Sequence, residues 1–149
     1  MTDDISGQKI VVSKALIQNS EGEFLIVRES EDRDKDTAGQ WELPGGRVKV
    51  GEDRFEAARR EVEEEIKIRP SGAEDVVRIE VESDHLVSCY IVYFDSFEGE
   101  PGIGEKGHHS EFRWVTAEEF LEMDWHSDAG YDIVPMMYLD EYLDKDKIY

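Results

Sequence analysis

The chain has 149 residues, with 37 acidic side chains against 17 basic ones and a net charge of −20. That length suits one domain with a real core, and such acidity argues against a nucleic-acid polymer as partner, since backbone phosphates need a basic surface. No stretch approaches the roughly 18 uninterrupted apolar residues of a membrane span, and the polar start MTDDISGQK lacks signal-peptide order, so a soluble, cytoplasmic protein without a membrane partner is expected.

Residues 9–18, KIVVSKALIQ, are apolar and β-branched, and residues 19–23 supply turn chemistry before a second strand, FLIVRE. The pair reads as a hairpin. Residues 30–39, SEDRDKDTAG, are polar or small and read as a surface loop leading into WELPGG at 41–46. A helix is predicted over 53–67, with Pro70 and Gly72 stopping anything longer. Residues 76–82 alternate as a half-exposed strand, and 86–97 form a more apolar, central one. The single cysteine, Cys89, lies in that run and is expected as a buried structural thiol. A second glycine-rich loop, EGEPGIGEKGHH, covers 98–109, and 111–115 return as a short strand. Thr116 and Glu119 then form a capping box, and a last helix over 131–143 carries Ile133, Val134, Met137, Tyr138 and Leu139. The alternation of strands and helices, without internal repeats, predicts an α/β fold with a mixed sheet between helical layers, as a single domain over 1–149.

The helix at 53–67 holds the chemistry. At about 100° per residue, Glu61, Glu64 and Glu65 sit at roughly 0°, −60° and +40°, while Phe55, Ala58, Val62 and Ile66 gather at roughly 60° to 140°. One stripe is buried and its neighbour carries three carboxylates, an arrangement suited to a hard divalent cation. Taken alone, EVEEE would read as a solvated acidic face. The fixed offsets of Gly46, Glu52, Arg60, Glu61, Glu64 and Glu65 over 23 positions decide against that. For any phosphorylated substrate this acidity would have to be offset locally, and cations held on the carboxylate face are the means. The spread of Asp and Glu would equally suit a high-salt cytoplasm, where self-repulsion is screened.

Residues 46–68, GRVKVGEDRFEAARREVEEEIKI, resemble the Nudix box: Gly46, Glu52, Arg60, Glu61, Val62, Glu64, Glu65 and Ile68 fill its places, and WELPGG precedes it as in many Nudix domains. The departure is Lys67, where the family usually has a glycine closing the helix in a left-handed conformation; a lysine there costs about 1 kcal/mol. The resemblance implies a Nudix α/β/α sandwich and a hydrolase dependent on Mg²⁺, or Mn²⁺, that cleaves the diphosphate linkage of a nucleoside diphosphate derivative. It implies that Glu61, Glu64 and Glu65 bind the metal with the Gly46 carbonyl. Glu61 doubles as base, with Glu64 beside it, and Arg60 orients a catalytic glutamate or pairs with the structural Glu52. A further ligand from outside the helix is expected at Glu111 in HHSEFRW.

Cations for the phosphates are expected from Arg28, Arg47 and Lys49, with Arg33 and Lys35 on the first polar loop. Gly45 and Gly46 let the backbone approach the substrate, and Trp41, Tyr90 and Trp125 offer stacking surfaces. His108 and His109 read as solvated loop residues. The ADP-ribose subgroup of the family tends to carry a proline about sixteen residues after the box, where this chain has Ser83 and Asp84. The small-molecule partner expected is therefore a nucleoside triphosphate or oxidised nucleotide, with ADP-ribose or a nucleotide sugar as the alternative. A non-enzymatic nucleotide-binding module usually loses box carboxylates that this chain keeps. Oligomeric state is not legible here.

Overall fold

The computed structural model describes residues 9–30, 39–82, 86–104 and 109–122. Helix α1, Arg54–Ile66, forms where its local chemistry places it. Asp53, in extended conformation, accepts from the Glu56 N–H at 2.8 Å, and the Glu56 side chain accepts from the Asp53 N–H at 3.4 Å. Such a reciprocal cap contributes about 1 kcal/mol. At the other end Lys67 adopts the left-handed conformation, φ 67°, and its N–H donates to the Glu63 carbonyl. The N–H groups of Gly102 and Gly104 donate to the carbonyls of Ile66 and Glu65 at 2.9 and 2.8 Å. The second glycine-rich loop thus satisfies orphan acceptors of the helix end. At Gly104 a Cβ would strike the Glu64 carbonyl oxygen, which is why a glycine stands there.

The strands are β1 (Lys9–Ile17), β2 (Phe24–Glu29), β3 (Trp41–Glu42), β4 (Gly45–Arg47), β5 (Arg69–Glu82), β6 (Leu86–Glu98) and β7 (His109–Val115). They form a four-stranded sheet, β4-β1-β6-β5, and a three-stranded one, β3-β2-β7. The first is mixed, as expected, with β1 parallel to β6 and the other pairs antiparallel; the second is wholly antiparallel. The expected β1–β2 hairpin does not form. The two strands meet at one bridge, Gln18 to Phe24, and then part into different sheets. Both flanks of β1 are taken by β4 and β6, and both flanks of β2 by β3 and β7. Strand β6 is interior, as its apolar run predicts. Strand β5 begins at Arg69, earlier than expected, and β7 at His109 rather than Glu111.

Helix α1 turns Ala58, Val62 and Ile66 into a core shared with Ala15, Ile17, Val92 and Phe94 of the larger sheet and Leu25 and Val27 of the smaller. Cys89 is a buried free thiol, as expected. The start of α1 is tied to β1, where the Ser13 hydroxyl donates to the Arg54 carbonyl at 2.6 Å. Helix α2, Ala117–Glu122, opens on the expected capping box, with Thr116 N–H to the Glu119 carboxylate at 2.8 Å and Glu119 N–H to the Thr116 hydroxyl at 3.1 Å. Phe120 fixes it to the smaller sheet, its ring centroid 5.6 Å from that of Phe24. The helix expected over 131–143 lies outside the described residues, as do Arg33, Lys35, Ser83, Asp84, His108 and Trp125. Among the described residues no helix is long and apolar enough to cross a membrane.

The left-handed lysine yields a direct test. Lys67→Gly relieves the steric cost of that conformation at the price of a more flexible unfolded chain, and should stabilise the fold by roughly 0.5–1 kcal/mol. A urea titration followed by circular dichroism should show a higher midpoint with an unchanged native spectrum.

Candidate active site

Strand β4 runs beside β1, pairing Gly45 with Lys14 and Gly46 with Ser13, and lays its glycines against α1. Gly45 has φ 150°, and a Cβ on it would collide with the Ser13 carbonyl oxygen. A Cβ on Gly46 would lie 2.6 to 2.9 Å from the Glu61 carboxylate. Gly46 thus makes room for the Glu61 carboxylate of α1, and Gly45 for the backbone of β1.

Arg60 is the hub of the acidic face. Its Nε and Nη2 donate to the two oxygens of Glu52 at 2.8 and 3.1 Å, a bidentate fork. Its Nη1 donates to Glu61 at 2.9 Å and to Glu64 at 3.3 Å, and Nη2 also donates to the Arg47 carbonyl at 3.0 Å. Arg60 thus pairs with Glu52 and contacts Glu61 and Glu64 at the same time. Direct hydrogen bonding by Arg60, helped by the Lys49 N–H, holds the Glu52 carboxyl down to about 2, and the same partner raises the Arg60 guanidinium further above its ordinary range. Glu61 and Glu64 remain partly accessible, with side-chain exposures of 15% and 32%.

Glu65 differs from them. It is buried, with one oxygen accepting from the Gly45 N–H at 3.0 Å and the other 3.2 Å from His109 Nδ1. His109 Nε2 lies 2.8 Å from Glu42, and the other oxygen of Glu42 accepts from Lys14 Nζ at 2.9 Å. Lys14 also donates to the Leu43 carbonyl at 3.2 Å. Burial pushes the Glu65 carboxyl up to about 8, opposed by Lys14 and the Gly45 N–H and reinforced by Glu42 and Glu61. The reading of His109 as a solvated loop residue is corrected: it opens β7 and is 9% exposed. Lys14 and Glu42 were not expected in the site. The available signal was Lys14 standing inside an apolar strand and Glu42 between Trp41 and Leu43, positions where a charge needs a partner.

The remaining expected residues are divided between the two sheets. Cross-strand register sets Trp41, Arg28 and Glu111 in one row across the smaller sheet. Glu111 lies 3.7 Å from Arg28 and 3.5 Å from Arg113, and Arg28 Nε donates to the Gly39 carbonyl at 2.8 Å. Trp41 is largely buried, with the Arg113 guanidinium 4.8 Å above its ring. The ring of Tyr90 is likewise faced by Arg54 at 5.0 Å. The Arg47 and Lys49 side chains are exposed near the acidic face.

A family model for the NUDIX domain matches residues 9–135. The chain belongs to the Nudix family. Nucleoside triphosphatase NudI of Escherichia fergusonii is 33% identical over 119 residues, covering 73% of this chain and 83% of that protein. The 8-oxo-dGTP diphosphatase of Escherichia coli is 29% identical over 110 residues, covering 73% and 81%. Among solved structures, the MutT protein from Methanosarcina mazei superposes with a TM-score of 0.72 at 27% identity, over 93% of this chain and 98% of that one. The kinship is with MutT-type Nudix hydrolases, enzymes of phosphoric anhydride bonds, and the α/β fold is theirs.

Nudix hydrolases generally use divalent metal ions. The donors of this Nudix site suit such an ion: they are anionic oxygens, and Gly46 leaves room for the Glu61 carboxylate beside its own backbone. As placed, Glu61 and Glu64 share the Arg60 guanidinium, and among the described residues no three acidic, histidine or cysteine side chains converge on one point.

The Glu52–Arg60 fork should have a pH signature. A carboxyl held near 2 when folded, against an ordinary 4.5, adds stability that is complete above about 4.5 and is lost as pH falls from there towards 2. Glu52→Gln should therefore lower the urea midpoint at pH 7, and the gap between variant and wild type should narrow at pH 3. An equal gap at both values would contradict the assignment.

Proposed function

We propose that this Nudix hydrolase converts nucleoside triphosphates, normal or oxidised, to the nucleoside monophosphate and pyrophosphate in a Mg²⁺-dependent reaction in the cytoplasm, as a single domain over the whole chain. The observation that carries the reading is the Arg60-centred acidic face, with Glu61 seated against Gly46. The nucleotide substrates named for the relatives support the substrate class.

Glu61, Glu64 and Glu65, with the Gly46 carbonyl, are the proposed ligands, and Mn²⁺ is the natural substitute. Bound there, a divalent ion supplies positive charge to the diphosphate oxygens and makes water more acidic. Glu61 takes the proton of the attacking water, the new bond forms from water oxygen to phosphorus, and the bridging P–O bond breaks with its electron pair leaving on pyrophosphate. Arg60 keeps Glu61 and Glu64 in place while its fork to Glu52 keeps Arg60 in place. Glu111, which pairs with Arg28 and Arg113, would be the outlying ligand. Arg28 and Arg47 then face the phosphates, the Gly45 backbone lies alongside, and Trp41 borders the nucleotide.

Glu61→Gln should cut turnover by roughly 10²–10⁴-fold with the fold retained, read with and without Mg²⁺ as pyrophosphate released from nucleoside triphosphates and as sugar phosphate released from nucleotide sugars and ADP-ribose. Unchanged pyrophosphate release in that variant would refute the assignment, and release of a sugar phosphate from ADP-ribose as the preferred reaction would refute the substrate class. Gly46→Ala should displace the Glu61 carboxylate and lower turnover by roughly 100-fold, with the circular dichroism spectrum unchanged.

A further inference from the structure

We propose that His109 is a positioning residue for Glu65, braced from behind by Glu42 and Lys14; this rests on the reading of Glu65 as part of the cation-holding face. Four ionisable side chains from β1, β3, β7 and α1 stand in one buried line, Lys14 to Glu42 to His109 to Glu65, with successive separations of 2.9, 2.8 and 3.2 Å. Each is nearly or largely withdrawn from water, with side-chain exposures of 5, 12, 6 and 3%. Such a line persists in a protein interior only when every member is partnered.

The geometry gives the line a direction. Glu65 has three rotatable side-chain bonds, and its Oε1 is fixed by the N–H of Gly45, the residue before Gly46. A single hydrogen bond leaves the carboxylate plane free to turn about it. His109 Nδ1 stands 3.2 Å from the second oxygen and limits that rotation. The imidazole can do this because it is rigid and carries its second nitrogen at the far corner of the ring, where Glu42 holds it. Lys14 in turn fixes Glu42 and offsets its charge. A ring held at both nitrogens sets the orientation of a carboxylate far more firmly than a surface side chain would, as outer partners of metal ligands generally do.

The test is a titration of the full chain with Mn²⁺, followed by the paramagnetic resonance signal of the free ion, alongside urea unfolding of each variant. His109→Ala should weaken Mn²⁺ binding by about 10–100-fold and lower kcat while leaving KM for the nucleotide nearly unchanged. His109→Asn, which brings an amide to the place of Nδ1, should recover much of the Mn²⁺ affinity. His109→Gln reaches the place of Nε2 and should recover less, although it restores the contact with Glu42. A purely structural role would shift the urea midpoint in these variants and leave Mn²⁺ affinity alone, and that result overturns the proposal, as does equal recovery by Asn and Gln. Should the alanine variant fail to fold, the Asn and Gln pair decides. Glu64→Gln separates the two levels of inference. If wild type binds Mn²⁺, this variant weakens it and the His109 variants do not, only the positioning role falls; if wild type binds none, the cation reading falls and the positioning role with it.

Discussion

The guanidinium of Arg60 is what makes three neighbouring carboxylates tolerable in a chain already carrying twenty net negative charges. Glu61 and Glu64 lie on one side of α1, and Glu52 approaches from the loop before it; without a counter-charge these groups would repel and splay into water. Arg60 meets all of them, and its remaining bond to the Arg47 carbonyl ties the helix to the end of β4. A planar fork with several donors can do this, whereas the point charge of a lysine could satisfy the pairs only one geometry at a time. The acidic face is thus organised by side chains and backbone of the chain itself.

Behind that face the logic of burial replaces the logic of repulsion. Glu65 belongs to the same helix turn as Glu61 and Glu64, yet it faces inward, among Gly45, His109 and the charges beyond. Its carboxyl is raised by loss of water contact, while that of Glu52, on the outer side, is lowered by its arginine. An acid in the loop before α1 and an acid near its end are shifted in opposite directions by their surroundings.

Local chemistry made much of this readable in the amino-acid order. The Asp53 and Thr116 caps, the turn of α1 that carries the acids, the stop near Lys67 and the interior position of β6 all follow from patterns within a few residues. What escaped reading was long-range. The chain between β1 and β2 has every mark of a hairpin, and nothing nearby reveals that each strand already has two partners from elsewhere. His109 was hidden by its neighbours: a histidine at the edge of a glycine-rich loop reads as exposed, and its burial depends on Glu42 and Glu65, remote in the chain. Lys14 was passed over because a strand position does not say which faces are covered. The carboxylates and Arg60 are legible from spacing; Lys14, Glu42 and His109 behind Glu65 are not, because topology assembles them.

The glycine loop over the end of α1 carries a consequence for how this protein can change. The backbone at Gly102 and Gly104 is stitched to Ile66 and Glu65, and a few residues later the same segment becomes the strand that starts with His109. Helix end and imidazole are thereby leashed together. A side chain gained at Gly104 would press on the carbonyls of Glu64 and Glu65 and so shift the end of the helix that carries both carboxylates. Drift in this connector is accordingly constrained by chemistry performed elsewhere, and a homologue with a longer segment here would need a different way to anchor its helix.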